Sequence, residues 1–400
     1  MLSFAEAQSR ILASATRIGT ERVPLAQAWG RVLAETVRAP VNLPPFDASA
    51  MDGYAVATRS FVGTGAVTLP VIGESRAGAV PDALAAGAAC RIFTGAMMPD
   101  GADAVIMQEH VVREGDRARF ESAPRPGANV RRAGEDLAAG SIALAEGTRL
   151  TAARIALAAT ADRAELIVGR RPRVAILSTG DELRAPGSAP RNGSIPESNG
   201  PGLRALAEQA GATVSVLPVV GDDPNATERA IAEALAGVDV LFTVGGVSVG
   251  DHDVVRPALE RAGVELAFWK VAMKPGKPLA VGRRGATHVL GLPGNPVSAL
   301  VTCLLFGVPL LRALAGDRAP LPRPLRARLT HDIQRSAGRT EFARVTLEQD
   351  GDGLAATPLA NQASGAMIAL ATCDALAVIP AEMGTAPAGT WVSVLRLADV

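Results

Sequence analysis

Asp239-Val240-Leu241-Phe242-Thr243-Val244-Gly245-Gly246-Val247-Ser248-Val249-Gly250-Asp251-His252-Asp253 joins an apolar, β-branched run to a loop of small residues. Such a run is expected of a buried parallel strand that delivers a ligand loop at its carboxyl end. Glycines let backbone N–H groups approach a bulky anion, and the two aspartates are placed to hold a cation beside it. Trp269-Lys270-Val271-Ala272-Met273-Lys274-Pro275-Gly276-Lys277-Pro278 follows, bringing Lys270, Lys274 and Lys277 close together in sequence. The two segments predict a phosphate or oxyanion site with metal ligands.

Four hundred residues, 48% of them hydrophobic, suffice for several cores. At about 150 residues per domain, two to four domains are expected. Forty basic residues balance forty acidic ones, so the basic excess of a nucleic-acid binder is absent. Aromatics are 3% of the chain, too few for base-stacking platforms. Cys90, Cys303 and Cys373 match no metal or redox spacing and read as buried thiols of a reducing compartment. The scattered histidines argue against a histidine-based zinc site. The first residues lack the features of a signal peptide. The apolar run Val297 to Leu311 is shorter than the ~20 residues needed to span a bilayer. A soluble, cytoplasmic protein without membrane partners is the expectation.

Residues 1–35 and 148–170 show helical spacing, with Ser3 and Thr151 as N-caps, and read as one discontinuous helical layer. Between them, 36–147 carries short β-like runs separated by Gly and Pro, a mostly β inserted domain. Within it Asp52 precedes Gly53 at what reads as an exposed turn, and the loops around Thr94 and Arg131–Asp136 are polar. From 171 to 317 strands and helices alternate, which calls for a three-layer α/β domain with a parallel sheet. Residues 318–400 read as a small β-barrel or sandwich. The expected fold class is therefore α/β plus β, multidomain. Ligands of a parallel sheet lie beyond the carboxyl ends of its strands. There the chain places Gly180-Asp181-Glu182, Gly221-Asp222-Asp223, Gly245 to Asp253 and Pro293-Gly294-Asn295-Pro296.

No P-loop and no dinucleotide-binding glycine pattern occurs. Gly246-Val247-Ser248-Val249-Gly250 has the letters of a hydrolase elbow, but its flanks differ and carboxylates and lysines outnumber histidines. Chemistry on a phosphate ester or anhydride fits better. Glu182, Asp222 and Asp253 are hard oxygen donors suited to Mg²⁺, and the three lysines are point charges for oxyanions.

Several motifs, in order, resemble the molybdenum-insertion enzymes of molybdenum cofactor synthesis, bacterial MoeA and the homologous C-terminal domain of gephyrin. They are Phe46-Asp-Ala-Ser-Ala-Met-Asp-Gly-Tyr54, Thr94-Gly95, Gly134-Glu-Asp136, Ser178-Thr-Gly-Asp-Glu-Leu183, Gly245 to Asp251, Lys274-Pro-Gly-Lys-Pro278 and Leu292-Pro-Gly-Asn-Pro-Val-Ser298. Glu197-Ser198-Asn199 departs from the pattern, where aspartate is usual before the last pair. The resemblance implies a molybdopterin molybdenumtransferase: a four-part homodimer with a molybdopterin-binding α/β domain and a C-terminal β-barrel. Its implied substrates are adenylylated molybdopterin and molybdate, with Mg²⁺ present and AMP as a product. Implied partners are molybdopterin adenylyltransferase and proteins that mature molybdoenzymes. By position Lys274, Lys277, Arg344 and Ser364 would hold molybdate. Glu182, Asp222 and Asp253 would surround metal and phosphates, with Lys270 beside them. Ser178, Gly180, Gly245, Gly246, Ser248, Pro293 and Pro296 would contact pterin or phosphates. Asp52, Thr94 and Asp136 would close the site from the partner subunit. Adenylylation of molybdopterin and a non-catalytic, gephyrin-like scaffold are the alternatives.

Overall fold

The strand Val240–Val244 has all five residues buried. It pairs in parallel with Arg173–Ser178 on one side and Thr287–Leu292 on the other. Val240, Phe242 and Val244 face a core shared with Leu203, Val297 and Phe306, while Leu241 faces Ile231, Val255 and Leu259. Apolar side chains on both faces require cover on both faces, and helices supply it. A fully buried Phe242 alone contributes ~2–3 kcal/mol of transfer free energy. Its ring can approach the helix Pro296–Leu314 because Gly307 lies opposite, where a Cβ would come within 3.0 Å of the Phe242 Cζ. That helix holds the apolar run singled out in the sequence, and it is buried in the core.

This computed structural model describes residues 1–246, 254–351 and 353–399. The sheet runs in the order Thr213–Val216, Arg173–Ser178, Val240–Val244, Thr287–Leu292, Pro278–Arg284, Glu265–Lys274. Its first four strands are parallel. The last two form an antiparallel hairpin rather than further parallel strands. The reason is local: Pro275-Gly276-Lys277 turns the chain in three residues, too few for a helical crossover, with Gly276 at φ +102°.

Beyond the hairpin, Met273 and Lys274 pair in parallel with Thr340 and Glu341, so the sheet continues into the C-terminal part. There five strands close on themselves, because Thr340–Asp350 pairs with both Gly353–Pro358 and Ala375–Ile379. In the N-terminal half a six-stranded sheet forms within 53–120. Gly53–Val56 is one of its inner strands, between Ala89–Ile92 and Ala104–Met107. Gly53 thus opens a buried strand rather than an exposed turn; any Cβ there would collide with the Ile106 carbonyl.

The first helix is shorter than its spacing suggests. Phe4–Ser14 is capped by Ser3, whose Oγ accepts from the Glu6 N–H at 3.2 Å while Glu6 accepts from the Ser3 N–H at 3.0 Å. Thr20–Pro24 is then a strand, paired antiparallel with Glu165–Gly169. Ala7 and Ile11 pack into the Phe242 core. Ala158 of the helix Ala152–Thr160 packs instead with Val23, Leu33 and Leu166. The two helices therefore serve different cores.

Asp239 fixes where the central strand begins. Its carboxylate accepts from Arg170 Nη2 at 2.8 Å, Arg170 Nη1 at 3.0 Å and the Arg173 N–H at 2.7 Å. Burial alone would raise its pKa, but the Arg170 fork and the Arg173 N–H outweigh burial and hold it below the usual carboxylate range. The stabilisation is complete above the unfolded aspartate value of about 3.9 and is lost as pH falls through the lower folded value. Asp239→Asn should therefore lower stability near neutrality by ~1–3 kcal/mol. Thermal melts of the two proteins should converge as pH drops below about 4; a gap independent of pH would remove this role.

Candidate functional site

The chain passes from Arg173–Ser178 to Thr213–Val216 on one side, then returns to Val240–Val244 on the other. This reversal leaves a crevice between the carboxyl ends of Arg173–Ser178 and Val240–Val244, the preferred ligand position of a doubly wound sheet. The crevice holds a cleft of about 490 Å³, within the range of small-molecule sites. Seven residues expected at the site line it: Gly180, Glu182, Asp222, Gly245, Gly246, Pro293 and Pro296.

Backbone geometry requires glycine at the back of the cleft. Gly245 has φ +91°, and a Cβ there would lie 2.7 Å from the Thr179 carbonyl oxygen. Gly246 has φ +56°, and its Cβ would meet Val255 at 2.5 Å. A Cβ on Gly294 would reach only the Gly245 Cα, at 3.6 Å.

Two helices point their amino ends into the cleft, Asn199–Gln209 through Ser198 and Asn199, and Pro296–Leu314 through Asn295 and Pro296. Their dipoles favour an anion at that end. Asn199 donates from Nδ2 to the Gly294 carbonyl at 2.9 Å, and its buried Oδ1 has no partner. In the sequence Asn199 stands only within the departing Glu197-Ser198-Asn199 and is not singled out for the cleft; the signal that could have found it is a polar side chain just ahead of Gly200-Pro201 at a helix start. Glu197 supplies the cap, accepting from the Gly200 N–H at 2.7 Å and from Ser178 Oγ at 3.1 Å. Ser178 is thus buried behind the wall rather than lining it. Of the neighbouring aspartates, Asp223 caps Pro224–Ala234 by accepting from the Ala226 N–H at 2.6 Å. Asp222 is left to the cleft, where its N–H donates to Asp181 Oδ1 at 3.2 Å.

The lysines separate. Lys274 and Lys277 flank the hairpin turn whose next residue, Pro278, lines the cleft. Lys274 Nζ lies 2.9 Å from Glu341 Oε1, and the same carboxylate lies 3.1 Å from Arg335 Nε. Lys270 lies on a different hollow, with Met1, Leu2 and Trp269. In the C-terminal part Arg344 is fully buried and donates from Nη2 to the Asn361 and Ala363 carbonyls at 3.2 and 3.3 Å. Its Nε and Nη1 have no partner, and burial lowers its pKa. Ser364 Oγ accepts from Asn295 Nδ2 at 3.2 Å, bringing this part to the rim of the cleft.

Asp52, Thr94 and Asp136 all lie outside the cleft, in the inserted part. Asp52 Oδ1 accepts from the Thr94 N–H at 2.7 Å and Thr94 Oγ1 at 2.8 Å, and those bonds hold its carboxyl below the usual range. Asp136 is exposed on the adjoining loop, which Asp47 ties down by accepting from the Ala133 N–H at 2.8 Å. No described residue of 36–147 lines the cleft of its own chain. Ser248 and Asp253 lie outside the described residues.

A doubly wound sheet with its ligand cleft at the topological reversal, extended by a closed barrel, is the architecture of a multidomain molybdopterin-binding protein. Residues 2–161 match the MoeA N-terminal region (domain I and II), 175–313 the probable molybdopterin binding domain, and 326–397 the MoeA C-terminal region (domain IV). Over 400 residues the chain is 36% identical to molybdopterin molybdenumtransferase of Haemophilus influenzae, covering 98% of each. It is 40% identical to that of Nostoc sp. over 94% of this chain and 89% of the relative. The crystal structure of a molybdopterin biosynthesis MoeA protein from Pyrococcus horikosii superposes with TM-score 0.81 at 32% identity, covering 99% of both chains. The chain belongs to the MoeA family.

Gly245→Ala should destabilise the protein by ~1–3 kcal/mol and deform the cleft, whereas Gly294→Ala should be nearly neutral. Equal thermal stability of the two variants would show that the left-handed turn at Gly245 is not required.

Proposed function

We propose that the chain transfers molybdenum from molybdate to adenylylated molybdopterin and releases AMP, the final step of molybdenum cofactor synthesis. One observation carries this reading: a cleft with Glu182 and Asp222 in its lining opens beside the Lys274–Lys277 turn, where the C-terminal part docks. In this reading the amino ends of Asn199–Gln209 and Pro296–Leu314 face the phosphates. Asn199 Oδ1, buried and unpartnered, accepts a pterin N–H. Lys274, Lys277 and Arg344 take the oxyanion, with Glu341 fixing the Lys274 ammonium.

Glu182 and Asp222 suit Mg²⁺, which takes one or two carboxylates plus substrate phosphates and keeps its remaining waters. Among the described residues no cluster of three ligating side chains exists, so the substrate would complete the shell. Bound Mg²⁺ would stabilise charge developing on the cleaved phosphoanhydride.

The working unit is a homodimer in this reading. Asp52 and Thr94 are bonded to each other at the surface, and no described residue of the inserted domain lines its own cleft. Both facts suit a loop that completes a partner's site. The adenylyltransferase reading requires only the α/β part and leaves the barrel, with its buried Arg344, without a task.

Purified protein should release AMP from adenylylated molybdopterin only with molybdate and Mg²⁺ together. Asp222→Ala and Lys274→Ala should each slow release at least ~100-fold; unchanged release from both would sink the assignment. Mixing Asp52→Ala with Lys274→Ala subunits should restore about a quarter of wild-type activity, since half of the hetero-dimer sites are intact. No recovery on mixing would place Asp52 within its own subunit's site.

A further inference from the structure

Arg312, on the helix Pro296–Leu314, is 5% exposed and follows the buried Leu310 and Leu311. Its Nε is enclosed with no hydrogen-bond partner. Among the described residues it forms no ion pair; the nearby Asp317 is held by Arg149 at 2.5 Å. Burial, reinforced by the Arg149 charge and only partly opposed by Asp317, pushes its pKa down to about 10. With Nε enclosed and unbonded, and the nearby Asp317 paired to Arg149, the Arg312 charge is poorly compensated, which is destabilising.

The guanidinium lines a second hollow of about 520 Å³, where the segment 145–154, the end of the long helix and the linker after Asp317 meet. Arg149, Arg154, Arg318 and Arg323 stand around it with three carboxylates. Those carboxylates are all engaged: Asp317 with Arg149, Glu146 with Arg17 at 2.6 Å, and Asp399 with Arg396 at 2.8 Å. Arg154 donates to the Arg149 carbonyl at 2.6 Å, and neither it nor Arg323 pairs with a carboxylate among the described residues. No aromatic side chain lines the hollow, so a nucleobase would have nothing to stack on.

We infer that this hollow is an anion site separate from the strand-end cleft, and that it takes a phosphate group, free or carried on a small metabolite, against Arg312 and Arg154. Guanidinium forks match tetrahedral oxyanions in two-point contact. An occupant bridging both arginines would fasten the linker and the 145–154 segment to the core helix. Neither the molybdenum-transfer reading nor the cleft depends on this site.

The test uses the full chain at constant ionic strength, with chloride replaced by inorganic phosphate in one arm and by glycerol 3-phosphate in the other. Wild type should show saturable heats in titration calorimetry and a rising Tm. Arg312→Met should melt higher than wild type in chloride alone, lose the anion-dependent rise, and keep AMP release within about twofold. Arg154→Ala, an exposed change that leaves the fold intact, should weaken anion affinity about tenfold. Whichever anion binds wild type more tightly identifies the source of the phosphate. The inference is overturned if wild type binds neither anion, or if both variants respond as wild type does, which would place the anion in the strand-end cleft.

Discussion

Everything in the α/β part depends on a strand that cannot touch water. All five residues of Val240–Val244 are buried, so their backbone groups must be paired on both sides and their side chains covered on both faces. Two parallel neighbours and two helical layers meet that demand. Parallel neighbours in turn bring the carboxyl ends of four strands to one edge. Polar loops leave from that edge because nothing remains there to bury. The paired glycines at 245 and 246 then follow from geometry, since the chain turns with positive φ against the Thr179 carbonyl and Val255.

That edge was legible in the sequence because its signals are local. An apolar run stopping at glycine, repeated with Gly180, Asp222 and Pro293-Gly294, marks strand ends without knowledge of pairing. What pairing decides was not legible. This region falls within the stretch whose strand–helix alternation calls for a parallel sheet, but the tight turn at Pro275-Gly276 makes Glu265–Lys274 and Pro278–Arg284 antiparallel. That sense carries Lys270 to another hollow while Lys274 and Lys277 stay at the turn. Gly53 was misplaced for a related reason: a glycine after aspartate signals a turn, whereas here it admits the Ile106 carbonyl of a neighbouring strand. Arg312 left no mark, since an arginine near the end of an apolar helix reads as a solvated cap. The barrel's five-strand closure rests on contacts between distant strands that no window of sequence contains.

The α/β part and the barrel meet through small features of high specificity. Two residue pairs continue the sheet, Met273 with Thr340 and Lys274 with Glu341. The Glu341 carboxylate sits between the Lys274 ammonium and the buried Arg335. Asn295 reaches Ser364 across the rim. Because Glu341 is itself buried, removing either cation would leave a charge unsatisfied, so the pairing sets the docking angle more firmly than its two-residue length suggests.

The fate of the cysteines has a consequence for a sulfur-bearing substrate. Cys90, Cys303 and Cys373 are all buried, and burial pushes the thiols of Cys303 and Cys373 up to about 12 and about 11. None of the three lines the cleft. A ligand that presents a reduced dithiolene would therefore meet no protein thiolate competing with it for a metal. Its two sulfur atoms would be the sulfur donors that a metal finds in a pocket whose lining of glycines, prolines and two carboxylates offers none of its own.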